Sequence, residues 1–421
     1  MKFKLHKYII PSVISMVIVG TNANIDGIFI GRLLGDDGLA AINIVWPILA
    51  FIAAVGTGTG VGGAVILNEL RGKGKAVQAE KIKNTTMCLM IIISAFITAL
   101  FLLSYSGMLR LMGASGNVLV LSEEYAFVII CGAVSQIIGA GILVLLRNDG
   151  KSYNGMFFSV IGVVLHVGLD FTLAKRFGMR GVAMATLISQ SVIAVLGLLT
   201  IKTDKAAGVD FSGIPDIIRG SIAPFGINFV PSLVLMFTNC FALKCGGVSA
   251  VSAYALMCYV IYTFDYIFQG VCDGVQPVIS YCRGSRDIKQ ERRALKCSGI
   301  ILLVMSVIFA LITPIIIKVI TGFFDISDEA EKMFRTGLVI FMLSYPFKAA
   351  VKYVCSYYYA VKNTVISNIL VFIDPLLITP LLLAVLSELM GINGVWLAMP
   401  VSQFVMTGIS MVIFLRNVLI K

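Results

Sequence analysis

The chain has 421 residues, of which 58% are hydrophobic and only 13% are charged, and its mean hydropathy is +0.97. A water-soluble domain could not bury so much apolar surface in one core, so the composition excludes a soluble protein and requires a lipid environment. The formal net charge of +11 could suit a nucleic-acid-binding protein, but the Lys and Arg residues concentrate between the apolar runs. That position indicates membrane topology, and no nucleic-acid partner is expected.

Apolar runs with the length of a membrane span recur along the whole chain. Each exceeds the roughly 20 residues that a helix needs to cross a hydrocarbon layer of about 30 Å. The sequence therefore predicts an all-α integral membrane protein with twelve transmembrane helices. They are expected at residues 8–34, 40–68, 82–112, 120–146, 153–175, 180–201, 217–245, 249–280, 294–321, 328–359, 363–387 and 392–415.

The distribution of basic residues predicts the orientation of these helices. If the N-terminus is cytoplasmic, most of the 33 Lys and Arg residues fall on the cytoplasmic side, as the positive-inside rule requires. We therefore expect a multi-pass protein of a bacterial-type plasma (inner) membrane with both termini in the cytoplasm. The basic loops at residues 71–83 and 283–296 would then lie against anionic membrane lipids.

The two halves of the chain resemble each other at a shift of about 212 residues. Pro11 recurs as Pro224, and Gly178-Met-Arg-Gly-Val recurs as Gly391-Ile-Asn-Gly-Val. Six crossings per half is an even number, so the halves form two parallel six-helix lobes related by a pseudo-twofold axis along the membrane normal. The predicted divisions are an N-lobe at residues 1–201, a cytoplasmic linker at 202–216 and a C-lobe at 217–421.

Polar residues inside the first half of the membrane domain form two pairs. Asn22 and Asp26 lie four residues apart on one predicted helix, and His166 and Asp170 lie four apart on another. Residues at this spacing project from one helix face, and charges inside a membrane are functional candidates. If the helices adjoin, Asp26, His166 and Asp170 would bind a proton or a small cation. A hydrogen-bonded packing cluster is the alternative, as is hydration of Asp170 near the outer surface.

A polar stripe is predicted on the helix at residues 249–280. Its members fall on one helix face, which should line a wet cavity that could hold the substrate, together with Asn22. The stripe comprises Asp265, Gln269, Asp273 and Gln276.

Two lysines are predicted inside the tenth helix. Lys348 and Lys352 either line the same cavity or neutralise Asp265 and Asp273 by pairing with them. With Asp374 included, the membrane interior is expected to hold five acids and two bases. That balance favours cationic cargo.

The sequence shows none of the motifs of nucleotide or metal chemistry. It contains no phosphate-binding loop, no metal-spaced His or Cys group and no Ser-His-Asp set. Its nine cysteines are scattered without a C-x-x-C pair, so disulfides and metal sites are not expected. We predict neither an enzyme nor an ATP-driven transporter, and no cofactor.

Several segments together resemble the multidrug and toxic compound extrusion (MATE) transporters, in their MepA-like and DinF-like branch. In the first half they are Ile25-Asp26-Gly-Ile-Phe-Ile-Gly31, Gly38-Leu-Ala-Ala-Ile-Asn43, and Leu169-Asp170 followed by Gly181-Val-Ala-Met-Ala-Thr186-Leu-Ile-Ser-Gln190. In the second half they are Gly274-Val-Gln-Pro277-Val-Ile-Ser-Tyr281 and Arg283-Gly284. The resemblance covers nearly the whole chain.

This resemblance implies export of amphipathic cationic drugs in antiport with H⁺ or Na⁺ by alternating access, and we expect the protein to be a monomer. It also implies that the coupling ion binds at Asp26, His166, Asp170 and Thr186. The family pattern has an amide where this sequence has His166. An imidazole, with an unperturbed pKa of about 6.5, carries protons readily and is a poorer Na⁺ ligand than an amide oxygen. We therefore expect H⁺ as the coupling ion, with Na⁺ as the alternative.

Two other functions remain open at this point. A flippase for lipid-linked oligosaccharides or peptidoglycan precursors shares the fold class, but its anionic cargo would favour a cavity lined mainly by Arg and Lys. A channel or membrane receptor would need neither duplicated lobes nor ion-coupled acids inside the membrane.

Overall fold

A computed structural model describes residues 4–323 and 327–416 of the chain. Helices account for nearly all of this part, because the apolar spans must satisfy their backbone hydrogen bonds internally. Two short 3₁₀ turns, Lys205–Ala207 and Phe211–Gly213, lie between the halves. The helices are α1 (His6–Gly72), α2 (Ala76–Leu111), α3 (Gly116–Cys131), α4 (Ala133–Asn148), α5 (Ser152–Thr200), α6 (Ile214–Ser285), α7 (Ile288–Phe323), α8 (Asp328–Met342), α9 (Tyr345–Ala360), α10 (Thr364–Ile373), α11 (Thr379–Met390) and α12 (Ile392–Phe414).

The number of membrane crossings follows from the breaks and bends in these helices. Within the described residues, eight segments are long and apolar enough to span a membrane, or ten when the bent pairs α3 with α4 and α8 with α9 each count as one. Two of the segments, Ser152–Thr200 and Phe211–Ser285, contain an internal break at a glycine. Dividing them there gives the twelve predicted crossings.

Glycines mark the turns between consecutive crossings, and they do so in the same way in both halves. Gly35 (φ 61°, ψ −146°) and Gly247 (φ 63°, ψ −156°) break α1 and α6. Gly178 (φ 56°, ψ −130°) and Gly391 (φ 59°, ψ −134°) break the chain within α5 and between α11 and α12. Glycine adopts this backbone region without the penalty that a Cβ brings. The duplication inferred from the sequence is therefore visible in the backbone angles.

The two lobes, α1 to α5 and α6 to α12, pack against each other through α1 and α6, where glycines allow close backbone approach. A Cβ added to Gly270 would lie 2.5 Å from Cα of Val13, and one added to Gly58 would lie 2.9 Å from Cβ of Phe225. Gly58 and Gly270 are equivalent under the shift of about 212 residues, as are Val13 and Phe225. The interface therefore obeys the pseudo-twofold symmetry at the level of single residues.

The last turns of α1 and α6 meet at the face of the bundle where the described residues begin and end, which we call the terminal face. A Cβ on Gly72 would lie 2.7 Å from the backbone nitrogen of Ser285, and one on Gly284 would lie 2.9 Å from the carbonyl carbon of Glu69. The Glu69 carboxylate also pairs with Lys362 of the C-lobe at 3.1 Å. The lobes are thus closed against each other at this face.

Candidate functional site

Three ionisable side chains meet inside the N-lobe, where the first crossing of α1 lies beside α5. Asp26, His166 and Asp170 expose only 4%, 1% and 0% of their surface, respectively. One ligand atom from each lies within 4.8 Å of the other two. The spacing of four residues puts His166 and Asp170 on one face of α5, and that face is turned toward α1.

Asp26 and His166 each contact three side chains in this cluster. Tyr125 donates a hydrogen bond of 2.8 Å from its Oη to Oδ2 of Asp26, and Thr186 donates one of 3.3 Å to the same oxygen. Nε2 of His166 lies 2.9 Å from Oδ1 of Asp26, 3.5 Å from Oδ2 of Asp170 and 3.1 Å from Oγ1 of Thr186. The structure therefore brings together all four residues predicted to bind the coupling ion, and adds Tyr125.

The Asp170 carboxylate is left with unused acceptor capacity. Among the described residues, neither of its oxygens accepts a hydrogen bond, and Nδ1 of His166 has no partner either. A buried carboxylate is costly unless it is paired with a cation or protonated. The cluster can therefore hold a proton, or a small cation whose ligands would be the Asp26 and Asp170 oxygens with Thr186 beside them. Hydration of Asp170 at the outer surface does not fit its complete burial.

A large cavity between the lobes reaches this cluster. It encloses about 1870 Å³, including space open to solvent. Asp26, His166 and Thr186 lie on its N-lobe wall, and the aromatic side chains Trp46 and Tyr266 lie on its sides. An ion bound at the cluster would therefore share one cavity with any cargo held between the lobes.

The C-lobe wall of the interlobe cavity carries both signs of charge. Asp265 and Gln269 lie on it, as predicted for these two members of the polar stripe, and Lys352 lies on it as well. A second cavity of about 790 Å³, including space open to solvent, lies within the C-lobe and is lined by Asp265, Lys352, Lys348 and Asp374 among apolar side chains. Asp265 and Lys352 are among the residues that line both cavities, so they lie between the two spaces.

The two lysines of α9 both pair with one carboxylate. Lys348 lies 3.2 Å from Oδ1 of Asp265, and Lys352 lies 2.8 Å from Oδ2. Lys352 also lies 3.3 Å from Oε1 of Gln269. Of the two acids considered as their partners, Asp265 is therefore the one they neutralise, and Asp273 is paired elsewhere.

Asp273 pairs with a residue that the sequence analysis missed. Nη1 of Arg147, at the end of α4, lies 3.2 Å from Oδ2 of Asp273 in α6, so this ion pair joins the lobes. Arg147 is only 7% exposed and lines the interlobe cavity. The helix predicted at residues 120–146 stops one residue before Arg147, whereas α4 continues to Asn148. The interior therefore contains a third base, and the predicted balance of five acids to two bases understates its positive charge.

The remaining predicted cavity residues lie elsewhere or outside the description. Neither Asp273 nor Gln276 lines either of the two cavities. Gln276 donates a hydrogen bond of 3.1 Å to Ser280, which in turn bonds the carbonyl of Ala360. The side chain of Asn22 lies outside the described residues.

Asp374 begins a short π-helical turn, Asp374–Ile378, and is satisfied by neutral groups. Thr379 donates to its Oδ1 at 2.9 Å and Gln403 donates to its Oδ2 at 2.8 Å, while Ser402 also donates to Oδ1. This acid is held by the helix interface of the C-lobe, although one side of it reaches the C-lobe cavity.

Comparison with known proteins assigns the chain to a family. The MatE family model matches residues 11–172 and, a second time, residues 225–384. The chain belongs to the MATE family. The second match follows the duplication described above, and the resemblance inferred from the sequence motifs is confirmed. This MATE protein is therefore a multi-pass membrane transporter, and MATE transporters are not enzymes.

Relatives of this MATE protein include transporters with different named cargo. The multidrug export protein MepA of Staphylococcus saprophyticus is 23% identical over 330 residues, which cover 75% of this chain and 70% of the relative. An FAD transporter of Shewanella oneidensis is 23% identical over 424 residues, which cover 94% of this chain and 90% of the relative.

Solved structures confirm the predicted fold. One is described as the outward-facing conformation of a multidrug resistance MATE family transporter, and it matches with a TM-score of 0.90 and 21% identity over 97% of this chain and 94% of its own. A transporter from Pyrococcus furiosus, described as having a binding pocket of reverse polarity, matches with the same values. At this identity the likeness establishes the fold of twelve helices in two lobes.

Proposed function

We propose that this MATE protein exports amphipathic organic cations in antiport with H⁺ by alternating access, with Na⁺ as the alternative coupling ion. The single observation that carries the proposal is the buried cluster of Asp26, His166 and Asp170, of which Asp26 and His166 lie on the wall of the interlobe cavity. A carboxylate on that wall can attract a cationic cargo or bind a proton, and the two occupants compete electrostatically.

Coupling requires that ion and cargo each change the affinity for the other by the same factor. In the proposed cycle the cluster takes up a proton from the outside, loses its negative charge and releases the cation. After the lobes reorient, the proton leaves to the cytoplasm and the cation binds again. The position of His166 between the two carboxylates supports H⁺ as the ion, because an imidazole changes its charge near physiological pH.

The proposed orientation places the terminal face in the cytoplasm. Arg71 and Arg283 lie at the ends of α1 and α6 on this face, in the two basic loops that the positive-inside rule assigns to the cytoplasm. The close contact of Gly72 with the end of α6 would then shut the cavity off from the cytoplasm.

The first test is ethidium uptake into inverted membrane vesicles, with an inside-acidic pH gradient and a sodium gradient imposed separately. Uptake driven by the pH gradient alone is the expected result, and Asp26→Asn should abolish it. Asp37→Asn is the matched control, since Asp37 is an exposed carboxylate of the same helix that pairs with Asn117 at 2.7 Å. Uptake driven only by sodium would replace H⁺ with Na⁺, and no uptake under either gradient would contradict the proposal.

FAD is a second candidate cargo, because the relative from Shewanella oneidensis is named as its transporter. The observation that favours it is Lys352 on the wall of the interlobe cavity, since a cation there could contact a phosphate group. FAD and ethidium compared in the same vesicles separate the two: uptake of FAD without ethidium would reverse the order of the candidates.

A further inference from the structure

Arg147 is a buried cation on the cavity wall with most of its hydrogen-bonding capacity unused. A guanidinium has five N–H donors on three nitrogens. Only Nη1 contacts an acid, at 3.2 Å from Asp273, while Nε and Nη2 are buried and have no hydrogen-bond partner among the described residues. Unpaired donors in a buried site are costly, so a purely structural role leaves this arginine unexplained.

Asp273 uses one of its two carboxylate oxygens to bind residues other than Arg147. This oxygen, Oδ1, accepts hydrogen bonds from Gln269 at 2.8 Å and from Tyr359 at 3.3 Å. Arg147 therefore meets one carboxylate oxygen at a single nitrogen. The bidentate geometry that makes arginine a strong carboxylate ligand is not formed here.

The charges around Arg147 do not balance. Asp265, Asp273, Gln269, Lys348, Lys352 and Arg147 form a connected set of contacts between 2.8 and 3.4 Å. Two carboxylates face three cations in this set, which leaves one positive charge in excess. Asp374 lines the C-lobe cavity with the lysines but is held by neutral donors. A buried excess charge is unfavourable unless an opposite charge joins it.

The position of Arg147 decides when another acid could reach it. Arg147 belongs to the N-lobe and Asp273 to the C-lobe, and the neighbouring Asn148 is bonded by Arg71 and Asn68 close to the terminal face. Separation of the lobes at that face would pull Asp273 away from Arg147. The whole guanidinium fork would then face the opened cavity without a partner.

We propose that Arg147 binds a carboxylate group of the cargo, which replaces the Asp273 carboxylate when the lobes open at the terminal face. The cargo class is then an amphipathic zwitterion that bears a carboxylate beside its cationic, apolar body. Arg147 is a specificity residue for such cargo. The proposal deepens the export function proposed above and rests on it, because both place cargo in the interlobe cavity.

Two rhodamine dyes provide the test, since one carries a free carboxylate and the other is its methyl ester. Their binding to the purified full chain in detergent is followed by fluorescence anisotropy. Arg147→Gln should weaken binding of the carboxylate dye roughly tenfold, the size of one lost charge-assisted contact, and change binding of the ester less than about twofold. The double variant Arg147→Gln with Asp273→Asn leaves no unpaired acid and should show the same selective loss.

Lys362→Gln is the control for a role in holding the lobes together. It removes a second ion pair between the lobes, Glu69 with Lys362, and should affect both dyes equally. If the Arg147 variants weaken both dyes equally as well, or neither, the carboxylate site is overturned. Ion-driven transport of the ester would in that case leave the export function standing. If the unaltered protein binds neither dye, both proposals fail.

Discussion

The two lobes share a backbone and differ in their charges. Under the duplication, the break at Gly178 corresponds to that at Gly391, which aligns His166 with Thr379, Asp170 with Leu383 and Thr186 with Met399. The N-lobe therefore has an ion cluster where the C-lobe has a hydroxyl group and apolar side chains.

The same holds for the ion pairs that Asp265 forms with Lys348 and Lys352 in the C-lobe, which the described part of the N-lobe lacks. The glycine pair Gly58 and Gly270 aligns Asp265 with Ala53, so the acid that neutralises two lysines has no ionisable counterpart in the N-lobe. Movement of one lobe against the other requires complementary contact surfaces, and the glycine contacts between α1 and α6 occur in both lobes. Coupling to an ion requires charged side chains at one site only, and the charged side chains of the two lobes lie at different positions.

The comparison predicts that removing a carboxylate has different consequences in the two lobes. The largest expected effect is a loss of stability when the carboxylate belongs to the C-lobe. Asp265→Asn leaves Lys348 and Lys352 without their carboxylate and should lower the free energy of unfolding by about 3–5 kcal/mol. Denaturation in detergent micelles measures this. Asp374→Asn is the matched control, because it disturbs only neutral hydrogen bonds. An equal loss in both variants would mean that Asp265 is not the charge partner of the lysines.

Asp170→Asn should have the opposite profile. It removes a carboxylate that has no hydrogen-bond partner among the described residues, so stability should be retained or increased. The factor by which a pH change alters ethidium affinity should fall by roughly 5–150-fold, the usual range of coupling between two sites. Binding titrations at two pH values measure this factor, and an unchanged value would remove Asp170 from the coupling site.

His166→Asn replaces the imidazole with an amide and sharpens the question of ion choice. An amide oxygen can ligate Na⁺ but cannot take up a proton near neutral pH. The ratio of proton-driven to sodium-driven uptake should therefore fall on the order of tenfold. The vesicle assay with separate gradients measures it. A ratio equal to that of the unaltered protein would assign His166 a packing role.

Tyr125→Phe should have the smallest effect. The phenol donates a 2.8 Å hydrogen bond to Asp26, and the loss of one such bond costs about 1 kcal/mol. Ethidium uptake driven by the pH gradient should therefore fall by roughly twofold to fivefold in the vesicle assay. Uptake equal to that of the unaltered protein would contradict this role for the hydrogen bond. The control is Tyr105→Phe, the same substitution in the preceding helix α2.

Local patterns in the sequence predicted the helices and the N-lobe cluster, because helix length and a spacing of four residues are properties of a single helix. Arg147 could not be found in this way, since its burial depends on a contact with Asp273, which lies 126 residues later in the chain. Tyr125 was missed for the same reason. The choice of Asp265 over Asp273 by the lysines is also a contact between helices, which spacing along one helix does not encode.

The contact of Gly72 with the end of α6 offers a way to shift the equilibrium between the closed and the open states of the terminal face. A methyl group at Gly72 or Gly284 would meet backbone atoms, which cannot turn aside as a flexible side chain can. Alanine at either position would act as a wedge and raise the population of the state in which the lobes are parted at the terminal face. Because the two glycines are equivalent under the pseudo-twofold axis, a wedge from either lobe acts at the same point, and such a variant is a means of trapping the open state.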